Sequence, residues 1–123
     1  MRPLTKKRIL IIDDEVDLVV ILKLRLEPTY HVIEAHDGAE GLEKAVSVAP
    51  DLILLDIKMP KLDGFEVLKH LKSNNKTRSI PVIMLTSEAR NSSILKAQDE
   101  QVTDYAIKPF ELDTLLPFIA RYI

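Results

Sequence analysis

Several short apolar runs in this chain end at polar residues whose types suit phosphoryl transfer. The residues at these ends are Asp13, Asp14, Asp56, Thr86 and Lys108. Phosphoryl transfer needs an in-line nucleophile, neutralisation of charge and hydrogen-bond donors for the phosphoryl oxygens. A carboxylate can be the nucleophile, a lysine adds a mobile positive charge, and a threonine adds a hydroxyl donor. The set is therefore chemically complete for forming an aspartyl phosphate on Asp56.

The three acids of this set also predict a metal site. Two like charges about 4 Å apart cost ~1 kcal/mol in water and ~4 kcal/mol at an effective dielectric constant of about 20. A hard divalent cation relieves that repulsion, and Mg²⁺ suits a site of oxygen ligands that keeps several waters. We therefore expect Asp13, Asp14 and Asp56 to share a magnesium ion.

These polar residues would converge if the apolar runs were strands of one parallel sheet. The predicted strands are 8–13, 30–35, 52–56, 81–86 and 104–107. The predicted helices are 14–27, 37–48, 65–71, 92–100 and 111–122. Strictly alternating strands and helices favour a doubly wound α/β fold, with helices on both faces of a parallel sheet. In such sheets the functional residues lie at the carboxyl ends of the strands.

Length and composition restrict the classes of protein. The chain has 123 residues, of which 46% are hydrophobic and 29% charged, so we expect one globular domain over 1–123. It has no Cys, which excludes disulfides and cysteine metal sites. No signal peptide or membrane-length apolar run is evident, which favours a cytoplasmic protein without membrane insertion. The net charge of −2 argues against direct nucleic-acid binding.

Four motifs, taken in order along the chain, resemble the receiver domain of the two-component response regulators. They are Ile11-Ile12-Asp13-Asp14-Glu15, Leu54-Leu55-Asp56-Ile57-Lys58-Met59-Pro60 with Asp63-Gly64 following, Pro81-Val82-Ile83-Met84-Leu85-Thr86-Ser87, and Asp104-Tyr105-Ala106-Ile107-Lys108-Pro109-Phe110. The similarity covers nearly the whole chain and is to single-domain receivers of the chemotaxis-regulator kind. Each motif alone is weak, but their order and spacing together are specific.

The resemblance implies a fold and a chemical role. The fold would be a flavodoxin-like five-stranded parallel sheet with strand order 2-1-3-4-5. Asp56 would take a phosphoryl group from a histidine kinase or a phosphotransfer protein. Mg²⁺ would bind Asp14 and Asp56 directly, Asp13 through water, and the backbone carbonyl of Lys58.

The resemblance further implies a signalling switch rather than an enzyme, although the domain would promote its own phosphorylation and dephosphorylation. Thr86 and Tyr105 would be the switch residues, and the changed surface would comprise 92–100, 104–107 and 111–122. The residues implied in kinase docking are Leu18, Ile21, Pro109 and Phe110. The first helix is apolar nearly all round, which fits a docking role. The downstream partner and a phosphorylation-dependent dimer stay open.

Two features depart from the family or from ordinary helix chemistry. Gln101-Val102 stands where the family usually has Gly-Ala, so the turn there would be strained or differ in geometry. Pro117 lies within the last predicted helix and should produce a kink or a late helix start.

The same residues allow other interpretations. Asp13 and Asp14 could merely cap the first helix, and Tyr105 could be an ordinary strand aromatic. A haloacid-dehalogenase-type phosphotransferase would want a second Asp where Lys58 stands. A flavodoxin-like flavin binder would want a hydroxyl- and Gly-rich loop after the first strand, where this chain is acidic. A receiver-like docking module that acts without phosphorylation is the remaining alternative.

Overall fold

The computed structural model describes residues 6–86, 103–108 and 111–123, and strands and helices alternate through the first of these ranges. The elements are β1 (Arg8–Ile12), α1 (Val16–Leu26), β2 (His31–Ala35), α2 (Gly38–Val48), β3 (Leu52–Asp56), α3 (Gly64–Ser73), β4 (Val82–Thr86), β5 (Asp104–Ile107) and a C-terminal helix (Leu112–Ala120). The predicted bounds of 52–56 and 104–107 are confirmed, and the other described elements differ by one or two residues at one or both ends. The predicted helix 92–100, the turn at Gln101-Val102 and the docking residues Pro109 and Phe110 lie outside the described residues.

The five strands form one parallel sheet in the order β2-β1-β3-β4-β5. The strand order implied by the resemblance is therefore confirmed. Every residue of β3 and β4 is buried, as expected for central strands that are covered on both faces. Because all strands run the same way, the residues at their carboxyl ends meet at one edge of the sheet, here called the carboxyl edge.

Successive residues of β1 pack alternately in two separate apolar layers. Ile9 and Ile11 of β1 pack in the layer that α1 and the C-terminal helix cover. Leu10 and Ile12 point the other way, into the layer beneath α2 and α3. A slip of one residue in β1 would exchange these sets, so the two cores fix the register that brings Asp13 to the carboxyl edge.

Local hydrogen bonds set where α2 and α3 begin. The carboxylate of Asp37 accepts from the backbone N–H of Glu40, so Asp37 is the N-cap of α2. Asp63 and Glu66 form a capping box at the start of α3. Such caps typically stabilise a helix start by about 1 kcal/mol.

The C-terminal helix contains Pro117 within its span and begins at Leu112. The expectation of a late helix start is therefore wrong. Backbone N–H groups of Thr114 and Leu115 bond to the carbonyl of Glu111 and establish the first turn ahead of the proline. Pro117 is exposed, so the carbonyl that it leaves without a donor can be hydrated.

Among the described helices, none combines the length and the apolar character that a membrane crossing requires.

Candidate functional site

Asp56 is the last residue of β3 and lies in the middle of the carboxyl edge. Its strand is flanked by β1 on one side and β4 on the other, so it sits between Ile12-Asp13 and Thr86. The residue is only 5% exposed. The sheet therefore holds this carboxylate at the end of a strand, where little water reaches it.

Lys108 directly follows β5 and joins the acids of the edge. Its ammonium donates to Glu15 Oε1 at 2.7 Å, to Asp13 Oδ2 at 3.0 Å and to Asp56 Oδ1 at 3.3 Å. Its backbone N–H donates to the carbonyl of Thr86 at 2.6 Å, which ties the end of β5 to the end of β4. The predicted meeting of Asp13, Asp56 and Lys108 is therefore present in the structure.

Asp13 is fully buried and uses both of its carboxylate oxygens. Oδ1 accepts from the backbone N–H of Glu15 at 2.9 Å, and Oδ2 accepts from Lys108. Its own N–H donates to the carbonyl of Ala35 in β2. Asp13 thus supports the turn before α1 and contributes charge to the site, but it does not cap the helix, because Glu15 is the N-cap and no side chain caps it.

The ionisation of Asp56 is strongly perturbed. Burial, followed by the charge of Asp13, raises the pKa of Asp56 to about 7. Lys108 opposes this rise without cancelling it, and the charge of Asp14 adds to it. Burial lowers the pKa of Lys108, but its bonds to Glu15 and Asp13 outweigh burial and hold that pKa above its usual range. The edge therefore carries more negative charge than its lysine neutralises.

The donor set of the edge fits a hard divalent cation. Carboxylate oxygens of Asp13, Glu15 and Asp56 lie within 4.8 Å of one another. A group of oxygen ligands with an excess of negative charge is what Mg²⁺ prefers in proteins. Asp14 is exposed and is not part of this oxygen cluster, although its charge acts on Asp56. Lys58 is also exposed, two residues beyond the phosphoacceptor candidate.

Thr86 and Tyr105 lie on the neighbouring strands. Thr86 is the last residue of β4 and is buried. Tyr105 is half-buried in β5, pairs with Met84 of β4, and packs against the layer beneath α2 and α3. The two side chains thus belong to adjacent strands that run to the same edge.

Two residues of the site were missed from the sequence. Glu15 looked like one more acid beside the pair Asp13-Asp14, and only the fold brings it to Lys108. Gly64 is the second, because a Cβ there would lie 2.4 Å from the carbonyl oxygen of Asp56 and 2.7 Å from Cα of Ile57. Its N–H also bonds to the carbonyl of Ile57. Gly64 therefore lets α3 begin against the backbone that carries Asp56.

The family model for the response regulator receiver domain matches residues 9–120 of this chain. The chain belongs to the response regulator receiver family. Receiver domains of this family act as signalling switches in two-component systems, and the fold and the acidic edge described above agree with that membership.

Similar proteins include regulators and isolated receivers. A DNA-binding dual master transcriptional regulator of Synechocystis is 40% identical over 110 residues, which cover 89% of this receiver and 46% of that relative. The structure of a chemotaxis response regulator of Vibrio cholerae is 31% identical with a TM-score of 0.86, covering 97% of this chain and 100% of the other. A response regulator of Thermotoga maritima, solved in complex with Mg(2+)-BeF, is 33% identical with a TM-score of 0.84, covering 95% and 99%.

The receiver spans less than half the length of the Synechocystis relative. The two proteins therefore share a receiver domain. DNA binding is named for the Synechocystis regulator, which is more than twice as long as the shared part.

The crowding of acids predicts that Asp56→Asn stabilises the metal-free receiver. The variant removes one buried negative charge and keeps the side-chain shape. In chelator at low salt and neutral pH, its free energy of unfolding should exceed that of the wild type by about 1–3 kcal/mol. Urea melts measure this difference. Asp17→Asn removes the same charge from an exposed position of α1 and should give no such gain.

The stability that Asp56→Asn gains over the wild type should depend on pH. An unfolded aspartate has a pKa of about 3.9. Because the pKa of folded Asp56 is raised to about 7, ionisation between these two values costs folding free energy. The advantage of Asp56→Asn should therefore grow from about pH 4 to about pH 7, and shrink when Mg²⁺ stabilises the wild type. An Asn variant no more stable than the wild type in chelator would contradict the shared acidic site.

Proposed function

We propose that this receiver takes a phosphoryl group onto Asp56 from a histidine kinase or a phosphotransfer protein, and so switches a protein surface. The observation that carries the proposal is the buried Asp56 carboxylate, linked through Lys108 to Asp13 at the carboxyl edge. A buried acid with a perturbed pKa in such a place is a candidate functional group, and the neighbouring lysine favours the ionised form that a carboxylate nucleophile needs.

Each residue of the site has a part in this reaction. An Asp56 oxygen attacks phosphorus, forming the O–P bond as the P–N bond of a phosphohistidine breaks. The attack requires ionised Asp56, and Lys108 favours that form by its positive charge. Lys108 can then bond the phosphoryl oxygens, and the hydroxyl of Thr86 supplies a further donor from β4.

A magnesium ion completes the site in this proposal. Bound Mg²⁺ neutralises charge on the phosphoryl oxygens. Asp14 and Asp56 would hold it directly, Asp13 through water, and the Lys58 carbonyl as a further ligand. The oxygen cluster around Asp56 supports a cation here, and so does the similarity to the Thermotoga maritima protein solved with Mg(2+)-BeF.

Phosphorylation would be communicated through β4 and β5. Thr86 would be drawn toward the phosphoryl group, and Tyr105 would turn into the space that it leaves. One added charge then biases a two-state equilibrium of the surface formed by 92–100, β5 and the C-terminal helix. The half-buried position of Tyr105 next to Met84 supports this route, because the ring has room to be more or less exposed.

The kinase or phosphotransfer protein would dock on α1 and the segment after β5. Large apolar side chains of α1 are exposed, and they are Val16, Val20, Ile21 and Leu24. Leu18 differs, because it is half-buried against the core layer of α1. The exposed face is contiguous along the helix, and such faces are typical of protein contacts. Pro109 and Phe110 would complete the docking surface.

The proposal treats 1–123 as one cytoplasmic receiver domain that does not itself bind nucleic acid. The downstream partner and the oligomeric state of the phosphorylated form are left open, because the site chemistry is the same for many outputs.

Labelling with acetyl phosphate tests the central step. Wild-type protein with acetyl phosphate and Mg²⁺ should gain the mass of one phosphoryl group, located on Asp56 by peptide mass spectrometry. Asp56→Asn should gain none, and chelator should suppress the wild-type reaction. A folded wild type that stays unlabelled would instead favour a docking module that acts without phosphorylation.

If the kinase docks on α1, a substitution on that helix should slow transfer from the kinase but not labelling by acetyl phosphate. Ile21 is 47% exposed, so Ile21→Ala removes contact area without opening the core. Transfer from a kinase that phosphorylates the wild type should slow by about tenfold, as for loss of a central interface side chain. Labelling by acetyl phosphate should be unchanged. Val46→Ala removes an exposed apolar side chain from α2 and should alter neither rate. Equal slowing with both donors would refute the docking surface.

A further inference from the structure

Glu15 is placed unlike an ordinary acid at a helix start. It occupies the N-cap position of α1, but its side chain makes no capping hydrogen bond. Glutamate is also not among the residues that favour this position. The carboxylate instead accepts from Lys108 at 2.7 Å, the shortest of the three bonds that the ammonium makes.

All three N–H donors of the Lys108 ammonium are engaged in hydrogen bonds. An ammonium has three N–H groups, and each has a carboxylate partner here: Asp13, Glu15 or Asp56. A phosphoryl oxygen can therefore bond Lys108 only if one of these partners gives way. Asp56 is itself the reacting group in the proposed function.

The other two partners differ in their freedom to move. Asp13 is fully buried and is held a second time by the N–H of Glu15. The Glu15 side chain is 60% exposed, and Lys108 is the partner that keeps it at the edge. Its carboxylate also belongs to the group of oxygens within 4.8 Å of one another, so it adds negative charge beside the phosphoacceptor.

We propose that Glu15 is a positioning residue that restrains Lys108 in the unphosphorylated receiver. Phosphoryl transfer then requires Lys108 to exchange the Glu15 carboxylate for the phosphoryl oxygens. Glu15 slows entry of an anionic phosphodonor in this state and favours the unphosphorylated form. The inference rests on the proposed function and extends it. It assigns a restraining role to an acid that the expected ligand set does not include, although its carboxylate lies in the same oxygen cluster.

Glu15→Gln tests the restraint, because glutamine keeps the length of the side chain and loses its charge. With acetyl phosphate below saturation, the labelling rate of Glu15→Gln should rise about three- to tenfold over the wild type. The difference should shrink in about 1 M salt, where exposed charges are screened. Asp17→Asn is the matched control. It removes the same charge from the first turn of α1, away from the three bonds of Lys108, and should change the rate by less than about twofold.

A binding measurement separates restraint from a general effect on folding. With saturating Mg²⁺, beryllium fluoride mimics the phosphoryl group without turnover. Its dissociation constant should fall about three- to tenfold in Glu15→Gln, while the midpoint of thermal unfolding stays close to that of the wild type. Glu15→Ala should behave as Glu15→Gln does.

The outcomes are distinct. If the wild type is labelled, and Glu15→Gln and Asp17→Asn are labelled at the same rate, the restraint is overturned and the proposed function stands. Slower labelling by Glu15→Gln, with weaker Mg²⁺ binding by calorimetry, would overturn it in favour of Glu15 as a metal ligand. A wild type that takes no label would overturn the proposed function, and the restraint with it.

Discussion

Repulsion among carboxylates at the carboxyl edge, incompletely offset by Lys108, is the interaction on which the rest of this receiver depends. Asp13, Glu15 and Asp56 bring three carboxylates to one ammonium, and burial of Asp13 and Asp56 withdraws the water that would screen their charges. The excess charge raises the pKa of Asp56 and makes the edge attractive to a cation. A group placed for stability alone would not be left in this condition, which is why the cluster indicates function.

The remainder of the fold holds this unfavourable arrangement together. Two apolar layers fix the register of the strands, so the strand ends cannot slide apart. Capping of α3 and the absence of a side chain at Gly64 let the helix approach the backbone of Asp56 closely. The bond from the Lys108 N–H to Thr86 aligns β5 with β4, and thereby aims the lysine along the edge. Stability lost at the site is offset by well-packed layers elsewhere.

Much of this arrangement could be predicted from the sequence, for identifiable reasons. Apolar runs ending in Asp13, Asp56 and Thr86 already specify buried parallel strands with their polar residues at one edge, whereas the strand order came from the family resemblance. Glu15 could not be recognised, because it lies beyond the end of β1, in the turn before α1, where the strand pattern does not indicate which way a side chain turns. Gly64 was missed because its role depends on tertiary approach. Of the two outcomes expected for Pro117, the late helix start does not occur, because tertiary packing can keep a helix going past a proline on its exposed side.

The measurement that tests the account most directly is the pKa of the Asp56 carboxyl, followed by carbon-13 NMR with and without Mg²⁺. In chelator the carboxyl should titrate with a pKa of about 7, and added Mg²⁺ should lower that value because a cation favours the ionised form. An Asp56 that titrates near 4 in chelator and does not respond to Mg²⁺ would contradict the claim that uncompensated charge at the carboxyl edge defines this site.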